Sequence, residues 1–192
     1  MRITKRIPYT SKYTHVNVRR VKANEFKLKG RHETAFESCT LFSQFVKGYK
    51  NQPDRWKKAH RDPFHVAFIN ENSTDCGGPM RDAISNICDE IMSPEVLPLL
   101  RPTANNTAKV EPAMDCMQLN SNAKEPHVLK KFTFLGYMLG WSLRNMGGLN
   151  IDLPLAFWRR LCDDSTSASD KEYVYTVEEM REVDVFRAEL LK

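Results

Sequence analysis

PFHVAFI (63–69), DCGGPMRDAISNICDEI (75–91), LPLLRPTANN (97–106), FTFLGYMLGWSLRNMGG (132–148) and LPLAFWRRL (153–161) follow one another through the middle of a 192-residue chain. In the first block Phe64, Val66 and Phe68 alternate with His65, Ala67 and Ile69, which is the period of a strand with at least one buried face. In the second, Gly77 and Gly78 permit backbone angles closed to other residues, and Pro79 has the fixed φ that suits the first position of a helix. The helix it opens carries Ala83, Ile84, Ile87, Cys88 and Ile91 on one side, with Arg81, Asp82, Asp89 and Glu90 elsewhere; it should stop near Ser93-Pro94. Residues 102–112, PTANNTAKVEP, show no apolar period and read as a loop. From Pro126 to Met146, Val128, Phe132, Leu135, Leu139 and Leu143 make a stripe that Phe134, Tyr137, Met138 and Trp141 widen, as in a helix central to a core. Gly136 and Gly140 should let another element come close, and Gly147-Gly148 should end the helix.

Outward from this stretch the signals thin. Phe36, Cys39, Phe42, Val46 and Tyr49 recur at helical spacing over 33–49, and Pro53 ends that element ahead of a basic connector at 54–61. Leu149, Ile151 and Leu153 alternate as a short strand, and Pro154 opens the helix that follows. Residues 163–172 are a polar, low-complexity loop. Thr176 with Glu179 forms a T-x-x-E capping box for a last helix carrying Met180, Val183, Phe186 and Leu190. Residues 1–31 read as an arm with one strand around 15–20, and no internal repeat is present. The fold class is α+β, mainly helical, with a few short strands in hairpins at the edge.

Composition sets the outer limits. Residues 1–61 hold 16 Lys and Arg against 4 Asp and Glu, and residues 62–192 hold 13 against 20, so the formal +5 is +12 followed by −7. A basic arm of this kind suits an acidic protein surface, nucleic acid or the acidic half of its own chain, with a solvated extension the plain alternative. The five cysteines, Cys39, Cys76, Cys88, Cys116 and Cys162, contain no CxxC pair and have no His-x-x-x-His companion, so neither zinc nor any other metal or cofactor is expected. That usage fits a reducing compartment, the cytoplasm or nucleus. The longest uncharged apolar window, 132–143, is twelve residues, against about 20 needed to span a bilayer, so no membrane association is expected. The acid-free first 24 residues share some character with a mitochondrial presequence, but Pro8 and the lack of an apolar face argue against one.

The strand, D-x-G-G-P-x-R with its amphipathic helix, LPLLRPT, F-x-F-L-G-x-x-L-G-x-x-L-R and L-P-x-x-F-W-R-R-L together resemble, in order and register, the N-terminal lobe of a HECT-type ubiquitin ligase domain. The wording of 132–161 is closest to the branch of large ligases that also carry propeller-type repeats. The resemblance covers residues 15–192, most distinctively 63–161, and implies a basic arm at 1–31 followed by a partial lobe at 32–192. It also implies a two-lobed enzyme that takes ubiquitin from a conjugating enzyme onto a cysteine and passes it to a substrate lysine; a thiol suits this relay because its thioester stays reactive toward amines. In the family that cysteine follows a threonine in the C-terminal lobe, and no cysteine here matches it: Cys39 precedes Thr40 and lies on an apolar face. The region that docks the conjugating enzyme lies in the family beyond the equivalent of this chain's last helix. No catalytic, cofactor or metal residue carries over, and the chain by itself is expected to be inactive. What carries over is architectural: Gly77, Gly78, Pro79 and Arg81 in the turn, with Arg81 in a structural contact, and Gly136 and Gly140 in the central helix. Ubiquitin, a conjugating enzyme and the remainder of the HECT domain are the implied partners.

Two other classes of function compete. One is a cysteine enzyme built on Cys76, which lies just before a helix start with His60 and His65 near in sequence. Its spacing matches no nucleophile motif. The other is a non-catalytic interaction module whose arm, with Arg19, Arg20, Lys22, Lys27, Lys29 and Arg31, grips an acidic partner or nucleic acid. Tyr9 and Tyr13 offer stacking faces, but aromatic interleaving is sparse and no nucleic-acid fold signature accompanies them.

Overall fold

The computed structural model describes residues 15–19, 39–49, 64–71, 78–145, 147–162 and 174–191. These fall into two units, one within 1–99 and 122–150 and the other within 100–121 and 151–192. The architecture is α+β and mainly helical, as the sequence implies. The expected boundary at residue 31, Gly77, Cys76 and most of the basic arm lie outside the described residues.

In the first unit, strand β1 (His15–Val18) pairs with β2 (His65–Phe68), and Val66 and Phe68 point into the core as the alternation requires. The pair is parallel, with Val16 opposite Val66 and Val18 opposite Phe68, so it is not the hairpin expected. A parallel pair needs a crossover, which here includes helix α1 (Leu41–Tyr49). Phe42 and Phe45 on α1 are fully buried; Phe42 meets Phe134 edge-on at 5.4 Å and Phe45 meets Phe64 at 6.5 Å.

Helix α1 begins at Leu41, where its first N–H groups find acceptors. The Thr40 hydroxyl accepts from Ser43 N at 3.1 Å, and the Glu90 carboxylate accepts from Leu41 N at 2.9 Å and Phe42 N at 2.8 Å. Glu90 belongs to helix α2 (Gly78–Ile91), whose buried side contains Met80, Ala83, Ile84, Ile87, Cys88 and Ile91. The sequence pattern puts Glu90 off that side, yet it is fully buried, because a carboxylate that caps a neighbouring helix is satisfied in the interior.

Helix α4 (Pro126–Asn145) is the long central one, but its inner face is turned from the expected stripe. Val128, Phe134, Leu135, Met138, Leu139 and Trp141 are buried, Phe132 is half-buried and Leu143 is exposed. The close approach expected at its glycines is absent among the described residues. A Cβ on Gly136 would meet nothing within 4 Å, and one on Gly140 would meet only the Arg144 guanidinium at 3.3 Å.

In the second unit, β3 (Leu100–Pro102) pairs antiparallel with β4 (Met117–Leu119). The predicted loop between them holds one turn of helix, α3 (Ala104–Ala108). Thr103 caps it by accepting from Asn106 N at 3.1 Å, and Lys109 closes it in the left-handed region at φ 54°, so caps rather than apolar period define this element. The strand expected at 149–153 does not form; Met117 N donates to Asp152 O at 2.8 Å without further ladder. Helix α5 (Leu155–Cys162) follows Pro154 as predicted. The predicted last helix is two, α6 (Val177–Val183) and α7 (Val185–Leu190), broken at Asp184.

Candidate functional site

The two glycine-bearing blocks of the sequence meet at a cleft of about 580 Å³ in the first unit, within the range of roughly 300–1,000 Å³ usual for small-ligand sites. Helix α2 contributes Arg81, Ile84, Ser85 and Cys88 at spacings of three and four, the period of one helical face. Helix α4 contributes Trp141 and Asn145, one turn apart, and the segment after it contributes Gly147, Gly148 and Asn150. That segment turns where it does because Gly147 N donates to Ser142 O at 3.1 Å and the Ser142 hydroxyl donates to the Gly147 carbonyl. Asn145 is held by its own helix, donating to Trp141 O at 2.9 Å. Pro79 lies in the first turn of α2 as predicted, and the helix takes in Gly78, one residue earlier than expected. Arg81 is exposed at the cleft and has no hydrogen bond or ion pair with a described residue, so the structural contact expected of it is not seen there. Among the described residues no Asp or Glu lines the cleft, and Arg81 is its charged side chain.

Cys88 lies in this lining, and its chemistry is fixed by its surroundings. Burial pushes the thiol up to about 11, against a smaller downward pull from a hydrogen bond with the Asn150 backbone and an upward one from Asp89. Cys116, in the second unit, is also pushed up, by burial first and then by Asp152, Glu182 and Asp115. Both are held as thiols at neutral pH, the opposite of what a transferring cysteine requires. Cys39 is buried and Cys162 exposed. Among the described residues no three His, Cys, Asp or Glu side chains gather as a metal site, and no helix is long and apolar enough to cross a membrane.

The second unit explains the W-R-R block. Glu179, fully buried, takes Thr176 N at 3.0 Å while the Thr176 hydroxyl takes Glu179 N at 3.2 Å, so both halves of the predicted capping box form. The other Glu179 oxygen binds the Arg159 guanidinium at 3.0 Å. Glu182 accepts from Leu155 N at 2.6 Å, capping the start of α5, and Trp158 Nε1 donates to Leu153 O at 3.2 Å. The block is thus a clamp between α5 and α6. Asn105, missed by the sequence reading, is fully buried: its amide donates to Pro112 O at 2.9 Å and Arg181 O at 2.6 Å and accepts from Val185 N at 2.8 Å. Its only sequence signal is the pair Asn105-Asn106, which reads as turn chemistry.

No protein-family model matches the chain. Among curated proteins it is similar to E3 ubiquitin ligases. It is 29% identical over 156 residues to the E3 ubiquitin-protein ligase HERC2 of Mus musculus, a match covering 81% of this chain and 3% of that protein. HERC2 of Homo sapiens matches to the same extent. A putative E3 ubiquitin-protein ligase of Plasmodium falciparum, PFF1365c, is 33% identical over 93 residues, 43% of this chain and 1% of that protein. The chain is therefore related to a region of E3 ubiquitin ligases, and it spans a small part of their length.

Proposed function

We propose that this chain is part of the N-terminal lobe of a HECT-type ubiquitin ligase domain and serves as its packing scaffold. The observation that carries this reading is the similarity over 156 residues to an E3 ligase, taken with four sequence blocks whose order resembles that of HECT domains. The mainly helical fold and the use of W-R-R as a structural clamp agree with a scaffold. In this reading ubiquitin is carried as a thioester on a cysteine of the domain's C-terminal lobe and passed to a substrate lysine. Ubiquitin, a conjugating enzyme and the rest of the HECT domain are then the partners, in the cytoplasm or nucleus.

The test has two arms, both read on non-reducing gels with activating enzyme, conjugating enzyme and ubiquitin present. The isolated chain is expected to form no thiol-reducible ubiquitin adduct, and an adduct on any of its five cysteines would overturn the scaffold reading. A chimera carrying this chain in place of the aligned 156-residue segment of mouse HERC2 is expected to form the adduct on a cysteine outside the graft. A folded chimera unable to do so would count against the HECT assignment.

A further inference from the structure

Residues 177–190, VEEMREVDVFRAEL, contain neither Pro nor Gly, yet the helix breaks at Asp184, whose backbone is extended at φ −152° and ψ 89°. Sharp breaks in helices trace to Pro, to Gly or Ser pairs, to bulges, or to a group inserted in the i→i−4 ladder. The last applies here. Val185 N and Arg181 O are an i→i−4 pair, which in an unbroken helix would bond to each other. Instead the Asn105 carboxamide lies between them, its oxygen taking Val185 N at 2.8 Å and its NH₂ giving to Arg181 O at 2.6 Å. On either side the helical register survives: Asp184 N still reaches Met180 O at 2.7 Å, and Ala188 N reaches Asp184 O at 3.1 Å. Arg187 N has left its own partner for the Asp184 carboxylate at 3.0 Å.

We infer that Asn105 is a latch, and that residues 177–190 have a second state, a continuous helix, reached when the amide withdraws. One side chain substitutes for one helical hydrogen bond, so exchanging the two states conserves backbone pairing at Val185 and Arg181. On the same helix Arg181 Nε is a buried donor with no partner among the described residues, a residual cost of the arrangement seen. The latch is seated through its third bond, to Pro112 O, so its hold depends on the turn that follows α3. Closing the break would bring Met180, Val183, Phe186 and Leu190 onto one stripe at spacings of three and four, whereas the present break separates Met180 and Val183 on α6 from Phe186 and Leu190 on α7.

Backbone NMR on the full chain tests this. In Asn105→Ala, the Asp184 Cα shift is expected to move from extended to helical, while the Val185 amide keeps its exchange protection within about tenfold because Arg181 O replaces the lost oxygen. In Asp184→Ala, with Asn105 intact, the break is expected to persist. Asn105→Asp, which keeps the acceptor and loses both donors, is expected to give an Asp184 shift between the two extremes, and this variant decides the matter if Asn105→Ala does not fold. An Asp184 that stays extended in Asn105→Ala with Val185 exchanging freely, an Asn105→Asp chain whose Asp184 shift does not move, or a helix made continuous by Asp184→Ala alone, would each overturn the latch.

Discussion

Glu90 is the residue whose environment most departs from its type. A fully buried carboxylate is costly unless its oxygens are satisfied, and here each takes one N–H at the start of α1. Glu90→Ala removes both acceptors and leaves a void, so a loss of about 3 kcal/mol in unfolding free energy is expected by urea titration, with Glu90→Gln losing less because one acceptor oxygen stays. Equal losses from the two variants would mean that charge, not the cap, is what matters. None of this was visible along the chain, because Glu90 and Leu41 lie 49 residues apart and only packing introduces them. The apolar side of α2, by contrast, was legible residue by residue: Ala83, Ile84, Ile87, Cys88 and Ile91 follow from period alone.

Cys88 gives a second prediction at this scale, with a defined sign. Its folded thiol ionises near 11 where the ordinary value is 9.0, so between these pH values the unfolded chain releases a proton that the folded chain keeps. The unfolded state binds fewer protons in that window, and stability therefore falls as pH rises from about 9, levelling above about 11. Well below pH 9, where the thiol is protonated in both states, Cys88 contributes no slope. Urea midpoints for the wild type and Cys88→Ala, taken from pH 8 to 11, are expected to show a steeper decline in the wild type; parallel curves would remove Cys88 as the cause. At pH 8 about 0.1% of such a thiol is ionised, so alkylation at Cys88 should be slow in the folded state and rise steeply on unfolding.

Among elements, α4 shows what a pattern can and cannot give. Its existence and both ends were readable, but a helix apolar most of the way round does not declare which stripe faces inward, and here Phe134 turns inward to meet Phe42 of α1. For the same reason the glycines at 136 and 140 suggested close packing, while no described residue comes within 4 Å of a Cβ at Gly136. Gly136→Ala is then expected to stabilise the protein by about 0.5–1 kcal/mol, since alanine loses less backbone freedom in a helix and touches nothing. A destabilised variant would show that a further element reaches this face. The α5–α6 clamp was half legible, because T-x-x-E is a local signal and the Arg159–Glu179 pair is not. Glu179→Ala breaks the box and leaves Arg159 without its partner, at an expected cost of about 2 kcal/mol. Arg159→Ala, removing a half-exposed cation while the box survives, should cost under about 1 kcal/mol. Hydrogen exchange at residues 176–179 checks the order of the two.

Over the whole molecule the apolar surface is unevenly covered. Phe186 is 59% exposed, Leu190 87% and Leu191 62%, and Val174 and Tyr175 are also exposed. Isolated exposed apolar residues need no explanation, but α7 places Phe186 and Leu190 one turn apart on one helix face, where they add to a patch. Water gains by covering such a patch, and for a chain alone in solution the available cover is another copy. Sedimentation velocity is therefore expected to show association that grows with protein concentration and persists in salt, because apolar contact is not screened. Phe186→Ser with Leu190→Lys should abolish it while leaving the urea midpoint within about 0.5 kcal/mol, as neither side chain is part of the core. Association that salt dissolves would instead point to the charge asymmetry, +12 over residues 1–61 against −7 over 62–192, as the force that brings chains together.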